Sequence, residues 1–163
     1  MNLEPDSRMH HFIGGLAPSG LPLPLTHELL RELADSWATH PDIPIGVADQ
    51  LAVSRQLFVH SYYVYEFATV AVAWSLFAVE ASLRLKLEAG RGASLKQLVE
   101  RALREGLVAQ RFADQLDAAR MLRNSFSHAT TQSIWTYGMV APALAVSHEV
   151  VADVYIQSST EPR

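Results

Sequence analysis

The chain reads as an all-α fold, an antiparallel bundle of five or six helices, on three observations. Apolar residues recur at spacings of three and four in each long segment after residue 26, the period of a helix with one buried face. No segment of useful length alternates with the period of two that a half-buried strand requires. The connections are short and carry Gly or Pro, as in His40-Pro41-Asp42-Ile43-Pro44-Ile45-Gly46 and Gly90-Arg91-Gly92-Ala93. With 163 residues, 49% of them hydrophobic, the chain is one domain's worth and can bury a real core.

Residues 1–25 read as an irregular arm, because Gly14-Gly15, Pro18, Gly20, Pro22 and Pro24 forbid a regular helix. His10-His11 is a metal pair only on paper, with no third ligand in view. Thr26 can cap a helix to about Ala38 whose buried stripe is Leu29, Leu30, Leu33 and Trp37. A second helix is expected from Ala48 to about His60, and the joint Ser61-Tyr62-Tyr63-Val64-Tyr65 either continues it or kinks it. Tyr62, Tyr63 and Tyr65 are either a base-stacking platform or packing residues with their hydroxyls turned to water.

The helix from about Glu66 to Ala89 is apolar almost all round and must be central. Phe67, Val70, Ala71, Trp74, Ala78, Ala81 and Leu85 lie on one side, with Ala73, Leu76, Leu83 and Leu87 on others. Glu80 interrupts it, four residues before Arg84, the favourable order for a helical ion pair. Ser94-x-x-Gln97 is a capping-box pattern opening a helix that Gly106 stops. Another helix follows from about Ala109 or Phe112. After a loop holding Trp135 and Tyr137, Pro142 suits the first turn of a last helix whose inner face is Val146, Val150, Val151 and Val154, with His148 at its border. The expected division is an arm with one extra helix over 1–47, a bundle over 48–157 and a flexible tail over 158–163.

The chain has no Cys, so disulfides and thiolate metal sites are excluded. Acids stand near the N-terminus where a secretory signal would carry Lys or Arg, and the longest greasy run, Phe67 to Val79, is too short to cross a bilayer. A cytoplasmic protein with no membrane partner is expected. Net charge is -4, yet residues 84–123 hold nine of the thirteen Lys and Arg against five acids. That sector is either a phosphate-attracting surface or a pair of ordinary solvated helix faces. No phosphate-cradling Gly loop, zinc-ligand spacing or nucleophile elbow is present, and no cofactor is expected.

The most informative segment is Arg123-Asn124-Ser125-Phe126-Ser127-His128. Wound at ~100° per residue, Phe112, Leu116, Ala119 and Phe126 form one apolar stripe with Arg123 near its middle, while Asp114, Asp117 and Met121 lie opposite. A guanidinium does not lose its proton, so an anion or a set of acceptors must meet it on that face. An Arg, a polar residue after it and a His a few residues on resembles the signature of the HEPN superfamily, small all-helical domains many of which are metal-independent ribonucleases, toxins or defence proteins. Arg55-Gln56-Leu57-Phe58-Val59-His60 has the same spacing. The later copy is favoured by its Asn, its preceding amphipathic helix and the final helix after it.

The resemblance spans roughly residues 49 to 157 and implies a HEPN-like bundle that cleaves RNA without a metal, as a homodimer whose two Arg-His sets share one cleft. His128 would be the acid or base, Arg123 the clamp on the phosphate, Asn124 a positioning amide and Glu80 an acid orienting Arg123. The local Glu80–Arg84 pair is the equally weighted account of that acid. Residues five apart on a helix point ~140° from one another, so the helix must end or distort over Asn124 to Ser127, or the site must assemble across the dimer. Relatives paired with a nucleotidyltransferase antitoxin carry a modified Tyr two residues after the His; here Thr130 stands there. The alternative is a non-catalytic module that binds a nucleotide, RNA or a partner chain, an antitoxin included.

Overall fold

The computed structural model describes residues 3–90, 92–126 and 136–156, and for 119, 120 and 122–126 the backbone alone. Six α-helices form a bundle: α1 (His27–Asp35), α2 (Ile45–His60), α3 (Phe67–Lys86), α4 (Leu95–Arg104), α5 (Ala113–Phe126) and α6 (Tyr137–Ile156). Two of the expected starts rest on side-chain caps. The Thr26 hydroxyl accepts from the Leu29 N–H, and Ser94 and Gln97 close a reciprocal capping box on α4. Gly106 stops α4 as expected: at φ 72° it lets the Leu107 N–H reach back to the Ala102 carbonyl at 2.9 Å.

α3 is central. It packs on α2 and α6 along most of its length and meets α4 and α5 at its far end. One core cluster joins the first half of α2 to the second half of α3, with α4, α5 and the end of α6. The other joins the end of α2 to the first half of α3, with α1, the arm and the start of α6. α2 therefore runs antiparallel to α3, but α3 and α6 run parallel: Ser75 and Ser147 hydrogen-bond mid-helix at 3.0 Å, and the Lys86 ammonium sits 4.5 Å over the Tyr155 ring at the ends. The antiparallel expectation thus holds only in part. Because α4 and α5 intervene as a pair, the chain returns to run beside α3 in the same direction.

The expected stripe on α3 is also corrected. Ala71 and Ala78 are buried, but Val70, Trp74 and Leu85 are exposed, and the deepest residues are Val72, Leu76, Val79 and Leu83. Nor is the greasy run a short one: α3 and α6, at 20 residues each, are long and apolar enough to cross a membrane, with half of each apolar window buried within the bundle. Pro142 lies inside α6 rather than in its first turn, because the helix begins early with the buried Tyr137. The proline removes the N–H that would otherwise bond the Gly138 carbonyl.

The arm is ordered. Ser7–His11 forms a 3-10 turn, and strands β1 (Ile13–Leu16) and β2 (Pro22–Pro24) pair antiparallel, a small sheet in a segment expected to be irregular. Gly and Pro had excluded a helix there but not a short hairpin. Gly14 is required where it stands, since a Cβ would meet Leu29 Cδ1 at 2.6 Å and the Pro24 carbonyl at 2.7 Å. The arm docks through the buried Met9, whose Sδ lies 3.6 Å from the Tyr137 hydroxyl, and through Phe12, stacked 5.5 Å from Tyr65. Arg8 pairs with Asp6 and Glu66 and sits over the Tyr65 ring. Met9→Ala is expected to lower unfolding free energy by about 2–3 kcal/mol in urea denaturation. A change below about 0.5 kcal/mol would show that the arm contributes no core.

Candidate functional site

α5 packs against α3, α4 and α6. Its Phe112 flank and Leu116 are buried, while Asp114, Asp117 and Met121 are exposed, as the periodicity requires. Arg123 and Asn124 occupy the last described turn of this helix, and seven residues of helix bring position 123 round to within ~20° of Leu116. α5 is helical through Phe126, and Ser127, the last position of the expected end or distortion, lies outside the described residues. The side chains of Arg123 and Asn124, and the whole of His128 and Thr130, lie outside the described residues.

Glu80 lies on the second half of α3 and pairs with Arg84 at 2.8 Å, so the local ion pair is present. Arg84 also donates to the carbonyls of Gly90 (2.6 Å) and Ala93 (2.9 Å), which ties the α3–α4 turn to the helix. Among the described residues, most cations of the basic sector are answered from within. Lys96 pairs with Glu100, Arg101 with Glu105, and Arg111 with Glu149 and Asp153. The solvated-face account therefore describes these helices better than a free phosphate-attracting surface.

The earlier Arg-x4-His match comes apart on the unbroken α2. The Arg55 Nη2 donates to the carbonyls of Trp37 (2.9 Å) and Ala38 (3.3 Å), just past the end of α1, and lies 3.3 Å from His148 Nδ1. His60 is exposed and its ring faces His27 and Tyr63. The two residues do not converge on one site. The tyrosines divide as well: Tyr65 is buried beneath Arg8 and Phe12, whereas Tyr62 and Tyr63 pack edge-on at 5.2 Å beside His27. A three-ring stacking platform is therefore not formed. His10 and His11 sit in the 3-10 turn, and among the described residues no cluster of three metal-binding side chains occurs.

His148 is the surprise of the last helix. Expected at a border, it is fully buried, with its ring 5.1 Å from that of Trp37. Burial first, and then the neighbouring Arg55 charge, lower its pKa from 6.5 to about 3, against a weak opposing pull from the Ala38 carbonyl. Burial likewise lowers the Arg55 pKa, with Asp35 pulling the other way. Contacts 18 and 93 residues apart leave no local pattern to read. The available signal was weaker: Arg55 follows the buried Ser54 on α2, and His148 interrupts an apolar run.

Set against family models, curated proteins and solved structures, the chain matches none of them.

The depressed His148 pKa has a consequence for stability. Between its unfolded value of 6.5 and its folded value of about 3, only the unfolded chain takes up the proton, so stability is full above pH 6.5 and falls as pH falls. Roughly 2–3 kcal/mol should be lost between about pH 6.5 and 4.5. Asp6 and Glu66, held below their ordinary values by Arg8, act only at lower pH. Urea unfolding of His148→Gln should show a flatter pH dependence over that window. An unchanged slope would place the imidazole in water.

Proposed function

We propose that the chain is a metal-independent endoribonuclease of HEPN type, acting in the cytoplasm in a defence or toxin-like role. The observation that carries this reading is the position of Arg123: on the inward face of an amphipathic helix, five residues before His128, in an all-helical bundle whose central helix bears Glu80. The separation of Arg55 from His60 supports the choice of the later motif, since the competing copy is used for packing.

In the proposed reaction an RNA 2′-hydroxyl attacks the adjacent phosphorus. His128 takes the hydroxyl proton, the bond to the 5′-oxygen breaks, and that oxygen takes a proton from water as it leaves as a hydroxyl, giving a 2′,3′-cyclic phosphate. Arg123 offers a planar fork to the phosphate oxygens as negative charge builds on them, and Asn124 orients the phosphate or the imidazole. Glu80 is shared between Arg84 and the orientation of Arg123. The site is completed by a second copy of the chain. Val70, Trp74 and Leu85, within ~60° of one another on α3, are exposed apolar residues suited to that contact.

A second reading is a non-catalytic module of the same fold that binds a nucleotide, RNA or a protein partner such as an antitoxin. It is favoured by the internal pairing of Lys96, Arg101 and Arg111, which leaves these cations less free to hold a long RNA.

RNA incubated with the purified protein in EDTA should be cut, with loss of about 100-fold or more in rate for both His128→Ala and Arg123→Ala and no loss for His60→Ala. Arg55→Ala is a poor control because it frees the carbonyls at the end of α1. Binding of RNA with no cleavage at any pH would select the second reading. Cleavage that requires a divalent metal and persists in His128→Ala would overturn the first.

A further inference from the structure

Between the end of α1 and the outer side of α2 lies a cavity of about 230 Å³, roughly seven or eight water volumes. Its walls include Ile43 and Leu51, with Thr39 and Gln56 as neutral polar groups, and Arg55 and Asp35 as the charged ones. We propose that this cavity is a binding site for a small monocarboxylate with a short apolar body, held by the Arg55 guanidinium.

The Arg55 guanidinium is partly buried, and no carboxylate of the described residues forms an ion pair with it. Asp35, exposed on the same cavity, acts on it only at longer range. Nη2 is taken by two carbonyls and faces a neutral imidazole, and Nε is buried without a partner. Nη1 makes no hydrogen bond with the described residues and is not sealed from solvent. It is thus the part of the fork that can serve a ligand in the cavity that Arg55 lines.

A partly buried guanidinium whose Nη1 meets no acceptor among the described residues is short of one, and an anion in the cavity that Arg55 lines supplies it.

The remaining lining selects the anion. One guanidinium with Asp35 nearby disfavours a doubly charged phosphate, while a single carboxylate matches the fork at Arg55. Ile43 and Leu51 suit a branched aliphatic body. An ammonium group on the same molecule would reach toward Asp35, so a zwitterion such as an aliphatic amino acid belongs to the same class.

The test uses 3-methylbutanoate, valine and inorganic phosphate, each at up to roughly 10 mM, with the Trp37 indole N–H resonance and calorimetry as readouts. Saturable binding of 3-methylbutanoate or valine in the millimolar range or tighter is expected, with a shift of the Trp37 signal. Affinity should fall at least about tenfold in Arg55→Gln. Ala52→Leu, at an exposed position on the cavity wall, should weaken binding comparably while leaving the fold intact, and decides the matter if Arg55→Gln is unstable. Binding of phosphate alone, no saturable binding of either carboxylate, or binding that Ala52→Leu leaves unchanged would overturn the proposal.

Discussion

The rest of the molecule depends on covering α3. A helix with apolar residues on every side is stable in water only when several neighbours bury it, and here α2 and α6 take its two flanks, α4 and α5 its far end, and α1 with the arm its near end. The parallel run of α6 beside α3 follows from that requirement. Ser75, buried on α3, bonds both the Val72 carbonyl and Ser147, so this polar contact between the two helices is satisfied within them. The exposed Val70, Trp74, Phe77 and Leu85 are what this cover leaves open.

Charge is handled by a second rule, in which cations are spent on carbonyls at chain ends. Arg84 holds the turn after α3, Arg101 reaches the Leu87 carbonyl at 3.0 Å, and Arg55 closes the end of α1. Arg101 and Arg55 sit where a helix C-terminus presents unpaired carbonyls and a negative dipole end, while Arg84 ties the turn that leads into α4. Arg55 differs from the other two in burial and in lacking a carboxylate, and it is joined to a histidine held neutral by the same burial. Position 123 asks the same question of α5, since it shares a face with the buried Leu116. In the proposed function an arginine at that position meets the phosphate of RNA.

Much of the helical layout was legible because local chemistry marks it: the Thr26 cap, the Ser94–Gln97 box and the Gly106 stop each act within a few residues. Three features were not. The arm's hairpin uses Gly and Pro, which report only that no helix forms. Pro142 resembles a first-turn residue, but Tyr137 is anchored by Ser61, Met9 and neighbouring rings, and this packing starts α6 earlier. The inner face of α3 could not be chosen from a pattern that is apolar all round. Of the candidate site, the Glu80–Arg84 pair was readable from four-residue spacing, whereas the Arg55–His148 contact joins residues 93 apart and appears only in the fold.

Amide hydrogen exchange along α3 tests the dependence of the fold on that helix most directly. The amides of residues 71–83 should be the slowest to exchange in the chain and should open only with global unfolding, their rates tracking denaturant as the overall transition does. Exchange of these amides faster than those of α1, or through an opening that leaves α2 and α6 protected, would contradict the account.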